Sequence, residues 1–321
     1  MNRGMQMSRS DRVCLRSVIN LIDHVDADIH ESKCTVGFGE EAPKLLIHVR
    51  DKLCSYLHAE LDGEICALEQ GDKIKIDQVG PVLCRGVVSV LPYDMLDECA
   101  YVRIRTPCLR PVQEGELPYC SAHRNTFAAR YRRAIIFGNR NLLNDEEVRI
   151  AGPHTLYLNC LLRKVGITKH DRLLMRASEQ LHTAFVPLRD FLDVNTAITL
   201  EKQLVQKMKG SEVTDRVPLK RKIRLISNNP LRLKMNNIDM GILVAAMKLV
   251  NALGSVINAY SVRMDIDMLR RAKYEDAFNI KGSLVFEDFI AGFLVFRDHR
   301  KLVFTEWKNI SDREIRGCIV T

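Results

Sequence analysis

Cys99, Cys108, Cys120 and His123 stand in a C-x8-C-x11-C-x2-H arrangement. Three thiolates and one imidazole complete a tetrahedral Zn²⁺ shell, the usual composition of a closed structural site. The tight Cys120/His123 pair fits one knuckle or first helical turn, while the looser arms must fold back to reach the ion. Pro107 precedes the second ligand, and Pro111, Gly115 and Pro118 punctuate the long arm, as a loop wrapped round a metal requires. Four protein ligands leave no open position for a catalytic water, so the spacing predicts a metal that holds structure. Three buried cysteines and a surface histidine are the plain alternative. Cys84 is the substitute should one of the four ligands be misassigned.

Two basic runs come next. Arg124, Arg130, Arg132 and Arg133 follow the knuckle, interleaved with Phe127 and Tyr131. They suit a phosphate-contacting surface, or arginines paired with the nearby Asp145, Glu146 and Glu147. Lys220, Arg221, Lys222 and Arg224 form the densest positive run of the chain. It reads as a nucleic-acid contact, a nuclear-import signal or the solvated face of a connecting segment.

Catalytic motifs are hard to find. There is no Walker phosphate loop, no G-x-S-x-G elbow and no H-E-x-x-H helix. Gly37, Gly39 and Ala42 imitate a dinucleotide fingerprint, but Glu40 and Glu41 would repel a pyrophosphate there. Asp265 and Asp267 sit among Arg263, Arg270 and Arg271, which read as ion-pair partners. The sequence predicts a non-enzyme.

The elements that must position these residues predict an α+β fold, with antiparallel sheets and several helices stapled by the zinc knuckle at 99–123. Residues 1–10 read as a flexible arm and 11–125 as an α+β region. Within the latter, helices are expected over 11–25 and from Pro43, the second burying Leu46, Val49, Leu53 and Leu57. The run 64–91 is β-rich, and Tyr101, Val102 and Ile104 suit a short strand. A helical region follows over 126–210, with helices at 154–165, from Thr168 to Pro187, and at 197–209. The pattern breaks over 211–232. The last region, 211–321, opens with an apolar helix at 237–260, carrying Lys248, Asn251, Ser255 and Asn258 as one polar stripe. That helix reads as core or interface rather than a membrane span. Strands then follow at 283–286, 293–297 and 301–307, the last two joined by Asp298-His299-Arg300. A terminal strand at 317–320 can pair within the chain or with a neighbour.

Over 321 residues the net charge is +8, which favours acidic partners, with nucleic acid first. Aromatics at 6% are too sparse for a single-strand binder built on base stacking. Ten cysteines and a polar, basic start suggest thiols made in a reducing compartment, nuclear or cytoplasmic rather than secreted.

The run C-A-Y-x5-P-C-x11-C-x-x-H resembles the Cys3His knuckles of some chromatin-associated proteins and proteins of large nuclear DNA viruses. Among these it is similar to the zinc segment of the major capsid protein of baculoviruses and nudiviruses. The likeness covers Cys99, Cys108, Cys120 and His123, well under a third of the chain. It implies a shell protein that dimerises or assembles further into a virion nucleocapsid around DNA, in the host nucleus. A zinc-knuckle nucleic-acid-binding regulator acting in the nucleus is the second expectation.

Overall fold

An 18-residue strand, β3 (Lys44–Leu61), carries most of the architecture. Its odd-numbered residues Leu45, Ile47, Val49, Ser55, Leu57 and Ala59 are all buried, the period of two that marks a strand with one covered face. Strands line both flanks of both its halves. The computed structural model describes residues 11–23, 28–33, 44–61, 64–93, 100–106, 108–113, 117–228, 238–252 and 256–320. The 1–10 arm, Cys34, Cys99 and the Gly37/Gly39/Ala42 loop lie outside them.

Before β3 come β1 (Asp11–Ile22) and β2 (Asp28–Lys33). After it come β4 (Glu64–Leu68), β5 (Lys73–Val82) and the antiparallel pair β6 (Val87–Tyr93) and β7 (Ala100–Thr106). The middle of the chain holds α1 (Phe127–Phe137), α2 (Asp145–Ala151), β8 (His154–Asn159), β9 (Lys164–Lys169), α3 (Leu173–Ser178) and β10 (Phe185–Leu192). Next are α4 (Val194–Lys207), α5 (Leu219–Asn228) and α6 (Met240–Leu249). The C-terminal part runs β11 (Val256–Arg263), α7 (Ile266–Arg271), β12 (Lys273–Tyr274), β13 (Gly282–Ile290), β14 (Phe293–Asp298), β15 (Lys301–Glu306), α8 (Trp307–Ile310) and β16 (Arg313–Val320).

Fourteen strands join in one mixed, mostly antiparallel sheet, so the molecule is α+β. The first half of β3 pairs with β2 and, in parallel, with β11, leading on to β10, β8 and β9. Its second half pairs with β1 and β4, leading through β16 and β5 to β13, β14 and β15. Each half has its own core. Leu45, Ile47 and Val49 pack with Leu156, Leu158, Ile198 and Leu243 under α4 and α6. Leu57 and Ala59 pack with Val13, Ile74, Phe286, Phe296 and Ile315 inside the curled second half.

Several expected helices are strands. Residues 11–22 form β1, whose Val13, Cys14, Leu15 and Arg16 are buried in succession because the strand is covered on both faces. The expected helix from Pro43 is β3 instead, and Leu53, assigned to its buried face, is 64% exposed. The expected helix over 154–165 is the β8–β9 hairpin; six consecutive buried residues in β8 mimic a buried helix by hydropathy alone. The helix expected from Thr168 to Pro187 reduces to the short α3, and Phe185 and Pro187 belong to β10.

Later in the chain the helix expected over 237–260 stops at Leu249, and β-branched Val256, Ile257 and Val262 continue as a strand. The helical part buries Ile242, Leu243, Ala246 and Met247 in the first core, so its small-residue face serves the interior. The break expected at 211–232 contains α5. The strands within 64–91, the helix near 197–209 and the β14–β15 hairpin stand where the pattern put them. β16 pairs within the chain, between β1 and β5. Among the described residues no helix is long and apolar enough to cross a membrane.

Candidate metal centre

Three stretches converge beside the end of β5. Residues 82–85 are gripped on two sides: Val112 N–H donates to Val82 O, Cys84 N–H to Arg110 O and Arg85 N–H to Pro118 O, each at 2.8 Å. Cys84 thereby comes level with Cys108 at the start of one arm and Cys120 at the end of the other. The last two donors share one turn, because His123 N–H and Arg124 N–H both donate to Cys120 O at 2.9 Å. Thr126 then caps α1 and its hydroxyl donates to His123 O at 2.8 Å, so the helix start fixes the knuckle.

The ligand atoms of Cys84, Cys108, Cys120 and His123 all lie within 4.8 Å of one another. His123 Nδ1 is 3.3 Å from Cys84 Sγ and 3.6 Å from Cys120 Sγ. A tetrahedral zinc shell would hold sulfur and nitrogen about 3.5 Å apart and two sulfurs about 3.8 Å apart. Both sulfur–nitrogen distances match that geometry, and the 4.8 Å limit on the others is compatible with it. Backbone amides of Gly86 and Cys120 each donate to Cys84 Sγ at 3.3 Å, an arrangement suited to a thiolate held on a cation. Burial pushes the Cys84 thiol up to about 11 in the absence of a metal, with Cys120 and Cys108 adding to the rise. Burial also acts against Cys120, but hydrogen bonds from Cys84 and the amides of His123 and Ala122 outweigh it and hold its pKa below the usual thiol value. Three crowded thiols cannot all ionise unless a cation balances them.

Among the described residues the fourth member of the cluster is Cys84; Cys99, expected in that place, lies outside them. The sequence favoured Cys99 because it is near the other three along the chain; Cys84 sits 24 residues before Cys108. Its local signal was a cysteine leaving a strand, two residues before Gly86 at φ 73°.

Behind the cluster lies a buried ionic network. Arg16, 2% exposed, donates through Nε to Glu60 Oε2 at 2.6 Å and through Nη1 to Cys84 O at 3.3 Å. Asp312 accepts from Arg16 at 3.4 Å and from Arg85 at 2.6 Å. β1, β3, the knuckle and the approach to β16 are thus tied at one point. Sequence reasoning missed all four of these charged residues, because nothing in their spacing relates them.

The basic residues separate into three groups. Arg132 belongs to the knuckle's inner side: burial pushes its pKa down, Arg85 adds to the fall, and Asp312 and Tyr119 partly offset it. Arg130 pairs with Glu147 and Asn125 O, the ion-pair alternative to phosphate contact. Arg124 is exposed and Arg133 half-buried on α1. Lys222 turns inward to Glu306 at 2.7 Å and over the Phe293 ring. Lys220, Arg221 and Arg224 line a cleft of about 1050 Å³ between α5, the β8–β9 turn and the start of α6.

His154, His170 and His182 are held by neighbours. His154 bonds Tyr131 and Gly152 O, and His182 bonds Gln180 O and the Val262 amide. His170 Nδ1 meets both Thr155 Oγ1 at 3.0 Å and Asp190 at 3.5 Å. Hydroxyl and carboxylate crowd the same ring nitrogen, unlike a catalytic triad, where they take opposite ones.

No family model matches the chain, and neither a curated protein nor a solved structure is similar to it.

Proposed function

We propose that this chain is a non-enzymatic structural protein whose fold is clamped by one closed Zn²⁺ knuckle and which builds an assembly of its own copies, a nucleocapsid shell around DNA. The observation that carries the zinc reading is the convergence of Cys84, Cys108, Cys120 and His123 within 4.8 Å from three separate stretches of chain. When bound there, Zn²⁺ would supply folding energy and no open coordination position. The protein's own part is to bring the donors together, through the paired backbones of 82–85, 110–112 and 118, and to back them with the Arg16–Glu60–Asp312 network.

Self-association is supported by large apolar side chains left on the surface. Phe191 is 71% exposed and held at φ 56°, a costly conformation for a bulky residue, and Phe137 is 57% exposed. Leu53 is a third such side chain, 64% exposed on β3. The shell reading rests on the resemblance of the 99–123 segment to viral capsid zinc segments, of which the cluster retains Cys108, Cys120 and His123, and the cationic face of α5 suits a protein that lies against DNA.

Light scattering over a concentration series, with electron microscopy of the largest species, tests assembly. Large regular oligomers are expected. A strict monomer at all concentrations that binds DNA in a salt-dependent way would favour the zinc-knuckle regulator instead.

A further inference from the structure

The geometry points to the cleft between α5 and the β8–β9 turn as a nucleotide-phosphate site, with Lys220, Arg221 and Arg224 as its anion-binding residues. This deepens the DNA-facing side of the reading above and rests on it, but not on zinc or on assembly.

Lys220, Arg221 and Arg224 occupy positions i, i+1 and i+4 of α5, so they share one flank of the helix. The other flank is committed elsewhere. Ile226 is buried in a core with Leu269 and Phe293, and Lys222 is paired with Glu306. Among the described residues none of the three cleft cations has a hydrogen-bond or ion-pair partner. The opposite wall carries a single net negative charge against these three cations. Arg163 lies 3.2 Å from Glu212 and 3.1 Å from Asp239, and Asp239 also caps α6 by accepting from Ile242 N–H. The uncompensated field in the cleft is therefore positive. Burial pushes the Cys160 thiol in the same wall up to about 12, so it adds no negative charge at neutral pH.

Size and lining narrow the ligand class. A volume of about 1050 Å³ exceeds what an inorganic anion fills and suits a nucleotide or a short piece of strand. Leu161, Pro218, Leu225 and Ile238 give apolar surface beside the cations, where a base or sugar face can rest while phosphate oxygens meet the guanidinium groups. Guanidinium and ammonium groups with no internal partner are also the ones that gain most from a phosphate, since no ion pair has to be broken first.

The test is fluorescence anisotropy and calorimetry on the full chain, titrated with inorganic phosphate, with ATP, and with a 12-nucleotide single strand. The strand distinguishes in-chain phosphates from a free nucleotide, and either one binding in the cleft supports the site. The double substitution Arg221→Ala/Arg224→Ala should weaken binding tenfold or more at 0.1 M salt. It should also flatten the salt dependence by roughly 0.7 in slope per lost contact. Lys248→Ala/Arg300→Ala, which removes two exposed charges outside the cleft, should change affinity less than threefold. Lys220→Gln serves as a milder second variant, and circular dichroism checks that each remains folded. Wild-type affinity in the cleft variants, equal losses in the control, or no binding of ATP or strand by the parent chain would each overturn the site. Unchanged assembly by light scattering alongside lost binding separates a failed shell reading from a failed cleft.

Discussion

Cys84 sits where two amides point at its sulfur and three more candidate ligands close on it from two other segments. Replacing it with Ser should abolish stoichiometric zinc and lower the melting temperature by 10 °C or more, since metal-binding energy at such a site is folding energy. The same change at Cys99 should leave about one zinc per chain. Elemental analysis of the two variants checks both. His182 is the other residue with a sharp consequence. Its Nδ1–H donates to Gln180 O at 2.8 Å and its Nε2 accepts from Val262 N–H at 2.9 Å, which fixes one neutral tautomer. Burial depresses its pKa to about 4. The unfolded ring takes a proton near pH 6.5 while the folded one does not, so this stabilisation is complete above 6.5 and is lost as pH falls towards 4. The loss amounts to roughly 3 kcal/mol. Urea unfolding at pH 7 and pH 4.5 should show it as the part of the pH difference that His182→Asn removes, about 2–3 kcal/mol. An unchanged difference would mean another group titrates.

At the scale of elements, the sequence was legible where a strand alternates and is flanked by turns. β5 carries that pattern plainly, with Ile74 and Ile76 buried between exposed Lys73, Lys75 and Asp77, while the β14–β15 hairpin was legible from its Asp298-His299-Arg300 turn between two apolar runs. It failed where strands are covered on both faces. β8 buries all six residues and β1 buries four in succession, so neither shows the period of two, and chance spacings such as Val18, Ile22 and Val25 imitate a helix. In β3 the alternation Leu45, Ile47, Val49 was present, but Pro43 as a helix opener outweighed it. The knuckle was mostly legible too. Cys84, which the spacing offered only as a substitute, enters from the end of β5, and that end meets the arms because β16 and the 108–118 segment flank it in space. That flank supplies a further prediction. At Gly317 a side-chain carbon would overlap the Lys75 carbonyl oxygen, in the middle of the β16–β5 pairing. Gly317→Ala should cost about 2 kcal/mol or more by forcing the two backbones apart, measured by denaturant unfolding, and a neutral result would show that the strands pair more loosely.

Across the whole molecule, two cores are joined along one strand, and the metal cluster stands beside the second of them, next to the Arg16–Glu60–Asp312 network. Arg16 and Glu60 are both buried, so removing one leaves an uncompensated charge. Arg16→Leu should destabilise the chain by about 3–5 kcal/mol, and it should weaken zinc retention against a chelator, because Arg16 also holds the Cys84 carbonyl. A variant destabilised as predicted but unchanged in zinc loss would uncouple the network from the knuckle, and one equally stable to denaturant would contradict the first prediction. The central claim is that Cys84, Cys108, Cys120 and His123 hold one metal in a closed shell. X-ray absorption at the zinc edge of the purified chain tests it most directly. Three sulfurs at about 2.3 Å and one nitrogen at about 2.0 Å are predicted; a shell containing water oxygen, or no bound zinc at all, would contradict it.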